Sequence, residues 1–177
     1  MGRFGSLEDR RIPLKDLPIG DFIFYPTHGV AKVVRKEDMN FDQQPQEFYV
    51  LELQKGGSLF IPTAGVNGLG LRPLVSPTKA KKLLKKVKTA PPKDTKTQKM
   101  STKDRTAKYA EDLKTGESEL YTEVLQELRH RAIEDKLTTS ERNLLEKARN
   151  YFVSELATVL DRPPKEIEDE VAIPTSG

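Results

Sequence analysis

The chain has 177 residues, of which 36% are hydrophobic and 32% charged, with a formal net charge of +3 and no cysteine. That composition excludes a disulfide framework and thiolate metal sites, and offers neither an apolar run able to cross a bilayer nor the apolar core of a secretory leader. It suits small domains with thin cores and much solvated surface, in a cytoplasmic setting and away from membranes.

Residues 1–17 scatter Gly2, Gly5 and Pro13 among charges without a period of either kind and read as a flexible lead-in. Five short β-branched or aromatic runs follow: Phe22–Tyr25, Val30–Val34, Phe48–Leu53, Ser58–Ile61 and Leu69–Leu71. Turn chemistry separates them at Thr27-His28-Gly29, Asn40 to Pro45, Lys55-Gly56-Gly57 and Pro62 to Gly68. Strands this short bury themselves by curling round one another, which predicts a small Tudor-like or SH3-like β-barrel. In an alternating strand Phe22 and Phe24 face one way, Ile23 and Tyr25 the other. Both faces are apolar, so the strand is buried on both sides or one face meets a partner. Phe60 beside Ile61 poses the same choice, because an exposed sheet edge with apolar neighbours is a place for strand addition.

After Ser76-Pro77 the period changes. Ala80, Leu83, Leu84 and Val87 recur at helical spacing, predicting a short amphipathic helix that closes a sheet domain over 18–89. Ala90-Pro91-Pro92 opens a segment without apolar period, read as a linker over 90–101. The remainder, 102–177, is predicted as a compact helical bundle. Its first helix carries Thr106, Tyr109, Ala110 and Leu113 and stops at Gly116; the second, from Ser118, turns Leu120, Val124, Leu125 and Leu128 inward. Thr138-Thr139-Ser140-Glu141 is a capping box that opens a third helix, striped by Leu145, Ala148, Phe152, Leu156 and Val159 up to Asp161. Pro163-Pro164 suits the first turn of a last helix reaching Val171. The fold class is therefore α+β, a β-barrel followed by a helical bundle.

No catalytic constellation appears, so no enzyme, cofactor or metal site is expected. The histidines, His28 and His130, fall in different predicted domains, and Gly65-Val66-Asn67-Gly68-Leu69-Gly70 lacks the Lys-Ser/Thr of a phosphate loop. Charge is more informative. Ten lysines and one acid, Asp94, lie between Lys79 and Lys103, and the helices add Arg105, Lys108, Arg129, Arg131, Arg142, Lys147 and Arg149. Such a surface meets phosphates with an affinity that falls steeply with salt. Interleaved Glu111, Asp112, Glu134, Asp135 and Glu146 make it supplementary.

Ile19-Gly20-Asp21-Phe22-Ile23-Phe24-Tyr25-Pro26-Thr27-His28-Gly29-Val30 resembles the G-D-x-V-x-Y-P-x-H-G-V signature of the CarD/CdnL family of bacterial transcription regulators, whose first module is shared with the transcription-repair coupling factor. Gly70-Leu71-Arg72 resembles the end of that module. Leu137 to Arg142 with Leu145 to Arg149 is similar to the family's second motif. The resemblance implies a Tudor-like domain gripping the β subunit of RNA polymerase; Phe60 and Met39 stand where some relatives carry polymerase-contacting arginines, a departure toward a more apolar interface, and Lys36 and Ile61 are candidate contacts beside them. It also implies a helical domain touching promoter DNA at the upstream fork of the bubble, with Arg131, Arg142 and Lys147 at matching basic positions; the charge pattern adds Arg105 and Arg149 as candidates. Relatives place a Trp wedge at the start of the helical domain; this chain has no Trp, and Met100 and Thr102 stand nearest that position. A monomer that stabilises the open complex is expected; the alternative is an adaptor of the same fold that docks another regulator without touching DNA.

Overall fold

The computed structural model describes residues 17–64, 69–134 and 136–173, and the chain divides into two compact units, Met1–Ser76 and Pro77–Gly177. The expected lead-in lies outside the described residues except for Leu17, which is buried in the first unit's apolar core.

The first unit is an antiparallel sheet of β1 (Phe22–Tyr25), β2 (Gly29–Phe41), β3 (Gln44–Leu53), β4 (Ser58–Pro62) and β5 (Arg72–Pro73), in the order β4-β3-β2-β1-β5. Ile23, Ala31, Val33, Tyr49, Leu51, Ile61 and Leu71 make its core. β4 and β5 are its two margins, so its hydrogen-bonded order is that of an open sheet among the described residues. The β2–β3 hairpin is longer than its apolar runs predict. It continues through polar residues to a two-residue turn, where Asp42 and Gln43 both have positive φ, the requirement of a type I′ hairpin. The fifth strand is Arg72–Pro73 rather than 69–71. Leu71 contributes burial instead.

The β1–β2 turn explains the conspicuous Tyr25-Pro26-Thr27-His28. His28 N–H donates to the Tyr25 carbonyl at 3.0 Å, and the His28 ring sits edge-on to Tyr25 at 4.7 Å. Thr27 has φ 76°, where a β-branched side chain is strained. Thr27→Gly is expected to stabilise the protein by about 0.5–1 kcal/mol, seen as a higher thermal midpoint. A lower midpoint would mean that the threonine side chain makes a compensating contact.

The second unit holds α1 (Pro77–Lys88), α2 (Thr102–Lys114), α3 (Ser118–Glu134), α4 (Thr139–Leu160) and α5 (Pro164–Val171). α1, read from sequence as the end of the sheet domain, packs on α3, α4 and α5, and the unit boundary falls at Ser76/Pro77. The cause is its apolar stripe: Ala80, Leu83, Leu84 and Val87 are all buried. The segment read as a linker is fastened as well. Gln126 Nε2 donates to the Ala90 carbonyl at 3.5 Å and to the Thr89 carbonyl just before it at 3.1 Å, Arg105 Nη1 donates to the Met100 carbonyl at 3.3 Å, and Pro91 and Thr97 are buried. The capping box at Thr138 and Glu141 is present, and Asp161 ends α4 in the left-handed conformation.

Candidate functional site

Two surfaces carry the residues singled out above, one on each unit. On the sheet, position is set by register. Val50 pairs with Phe60 on β4 and with Arg35 on β2, which places these three side chains in one row on the face opposite the core cluster. Phe60 is 45% exposed. Tyr49 pairs with Ile61 and with Lys36 in the next row, on the core face. Ile61 is only 4% exposed and belongs to the apolar core, so its side chain is unavailable to a partner without unpacking the unit. Lys36 Nζ lies 5.2 Å from the Tyr49 ring centre and 3.7 Å from Glu47 Oε1. Met39 pairs with Gln46, about 13 Å along β3 from Val50 at strand rise, out on the hairpin beyond β4. The four expected residues therefore do not form one patch.

The residue that joins Phe60 is Arg35, with Glu37 Oε2 at 2.8 Å from its Nη2. A bulge between Val33 and Arg35 inverts the alternation and delivers Arg35 rather than Lys36 to this face. Arg72, quoted above for its place in a motif, is buried with its guanidinium 4.3 Å from the Phe24 ring centre, a stacked cation inside the unit.

β4 is a sheet margin. Leu53 N–H donates to Gly57 O and Thr63 N–H to Glu47 O, which fixes residues 57, 59, 61 and 63 as the ones bonded to β3. The N–H and C=O of Ser58 and Phe60 then point away from the sheet, as does the carbonyl of Pro62.

On the helical unit the expected cations separate into different kinds. Arg105 is 6% exposed. Its Nη2 donates to Glu141 Oε1 at 3.3 Å and to Thr102 Oγ1 at 3.4 Å, while Nη1 donates to the Met100 carbonyl at 3.3 Å. It is an internal brace and not a surface contact. Arg131 Nε lies 3.5 Å from the same Glu141 oxygen. Burial disfavours the Glu141 charge, but the Thr138 N–H, Arg105 and Arg131 outweigh it and hold the carboxyl below its ordinary range. Beside this group, burial and a 2.6 Å hydrogen bond donated to Glu127 keep the Tyr109 hydroxyl above the ordinary phenol range. Arg142 and Arg149, seven residues apart, share one flank of α4, while Lys147 stands about 140° round the helix from Arg142. Arg149 Nη2 lies 2.6 Å from Glu146 Oε2, and Lys147 Nζ sits 5.8 Å from the Tyr151 ring centre. Arg142 is exposed and makes no ion pair among the described residues. Met100 is half-buried just before α2, and Thr102 is exposed in its first turn.

Residues 17–75 match the family model described as CarD-like/TRCF RID domain, and residues 82–172, half of the chain, match the one described as CarD, C-terminal domain. The chain belongs to the CarD family. The two CarD matches fall one on each unit, and CarD membership makes the chain a transcription regulator. A curated relative, YdeB of Bacillus subtilis (strain 168), is 27% identical over 151 residues, covering 85% of this chain and 96% of its own length; its name marks it as a candidate transcription factor. No helix among the described residues is long and apolar enough to cross a membrane.

Proposed function

We propose that this CarD protein acts as a monomer without catalysis, docking its Tudor-like unit on the β subunit of RNA polymerase and stabilising the open promoter complex. The observation that carries the reading is the β4 margin: outward-pointing backbone groups at Ser58 and Phe60 beside an exposed aromatic ring. A strand laid along that margin gains main-chain hydrogen bonds from β4 and apolar contact from Phe60. The helical unit adds contact to promoter DNA at the upstream fork, with Arg142 as the principal cation and Arg131, Lys147 and Arg149 as lesser ones. Met100 stands where the family's wedge is expected, its carbonyl held by Arg105. Contacts made only with melted or bent DNA shift the equilibrium toward the open state by their differential free energy.

Binding of the full-length chain to RNA polymerase at moderate salt tests the docking; absence of affinity for the enzyme defeats it. The adaptor reading, with no DNA contact, draws support from the capture of Arg105 by Glu141 and of Arg149 by Glu146. Fluorescence anisotropy with a forked promoter fragment separates the two. Arg142→Glu is expected to weaken binding and make its logarithmic salt slope shallower by about 1, as for loss of one phosphate contact. An unchanged slope favours the adaptor.

A further inference from the structure

The lysines of α1 divide by face. Lys86 Nζ is held by Glu123 Oε1 at 2.9 Å and Glu119 Oε2 at 3.3 Å, and Lys88 pairs with Glu170. Both sit on the flanks of the helix, where α3 and α5 bring carboxylates. Lys82 and Lys85 occupy the outward face with Lys81 at its border; all three are exposed and make no ion pair among the described residues. Elsewhere in the unit the helix cations Lys108, Lys114, Arg149 and Lys165, and Arg162 in the turn between α4 and α5, each have a carboxylate neighbour. The outer face of α1 is thus three adjacent charges without local compensation, carried on a helix whose other side is packed.

We propose that Lys81, Lys82 and Lys85 form a second nucleic-acid contact, taking the phosphate backbone of double-stranded DNA. It extends the proposed promoter contact to a surface separate from Arg142 and does not depend on the polymerase docking. Three features select duplex DNA among polyanions. The apolar side of α1 is spent on α3, α4 and α5, so the helix has no face to insert into a lipid surface. No aromatic residue occurs between Arg72 and Lys108, so single-stranded bases find no stacking platform there. Lys81 and Lys85 are one turn apart, about 6 Å of helix rise, and with Lys82 they offer ammonium groups on a firm backbone to neighbouring phosphates. Lysine reads such a backbone as a point charge and confers no sequence preference.

The test uses the full chain and a random-sequence duplex, measured by fluorescence anisotropy over a salt series. Lys81→Gln/Lys82→Gln/Lys85→Gln is expected to make the logarithmic salt slope shallower by about 2–3, close to 0.9 per phosphate released. The corresponding triple arginine variant is expected to keep the slope. Lys108→Gln/Lys114→Gln/Lys165→Gln removes equal formal charge from paired lysines and is expected to leave the slope nearly unchanged. The proposal is overturned if the first variant binds like the parent, if the paired-lysine variant loses as much, or if the loss is larger for a single-stranded oligonucleotide. Polymerase affinity, measured in parallel, is expected to be unaffected by the α1 substitutions. Its independent loss or absence bears on the docking at β4 and leaves the α1 result standing.

Discussion

Glu141→Ala is expected to lower the unfolding free energy by about 3–5 kcal/mol, the usual cost of removing one member of a buried ion pair. Glu141 is 1% exposed, and its carboxylate answers three helices at once: Arg105 from α2, Arg131 from α3, and the Thr138 N–H at the start of α4. Removing it strands the buried Arg105 guanidinium and half of the capping box. Denaturant midpoints give the measurement, and a loss below about 1 kcal/mol would show that water replaces the carboxylate easily. The pH dependence has a definite sign. The folded-state pKa of Glu141 is depressed below its ordinary 4.5, so its contribution is complete above that value and disappears as pH falls through the lower folded one. Acidification below about pH 4 should therefore destabilise the parent more than Glu141→Gln. Glu141→Ala should also loosen the Met100–Thr102 segment, because Arg105 holds both residues while Glu141 holds Arg105.

The second large effect is expected at Phe60. An exposed aromatic at the centre of a docking edge behaves as a hot spot, so Phe60→Ala should weaken binding to RNA polymerase by about 2 kcal/mol, roughly 30-fold. Phe60→Pro separates backbone from ring. Because the Phe60 N–H points outward, proline there removes a donor from the margin while the bonds between β3 and β4 stay in place. It should fold with a near-parental thermal midpoint and bind more weakly than Phe60→Ala. Ile61→Ala provides the contrast: its cost is core stability of about 2–5 kcal/mol, with docking affected only through unfolding. Equal polymerase affinity for the parent and Phe60→Pro would defeat strand addition at β4.

Most element boundaries were legible because they rest on local signals: the helical period of α1, the Thr138 capping box, Pro164 in the first turn of α5, and Asp161 as a stop. What escaped the sequence depends on long-range geometry. The bulge at Val33/Arg35 shifts parity, so Lys36 faces Tyr49 and Arg35 joins Phe60; nothing in Val33-Val34-Arg35 announces the extra residue. The β2–β3 hairpin outruns its apolar residues because main-chain pairing continues where side chains no longer need burial. Arg105 looked like a surface cation because its partner is 36 residues away, and charge counts carry no information on which carboxylate will come to meet it. The same holds for the segment after α1, whose tether at Thr89 and Ala90, Gln126, lies on α3.

Pro62 closes β4. With no amide hydrogen of its own, it restricts the donors along that edge to Ser58 and Phe60, a purchase for one short visitor and too little to template a growing stack of identical chains. A margin with two outward donors and a proline that limits stacking thus coexist in five residues, and substituting Pro62 with a β-branched residue is expected to raise the tendency to form fibres.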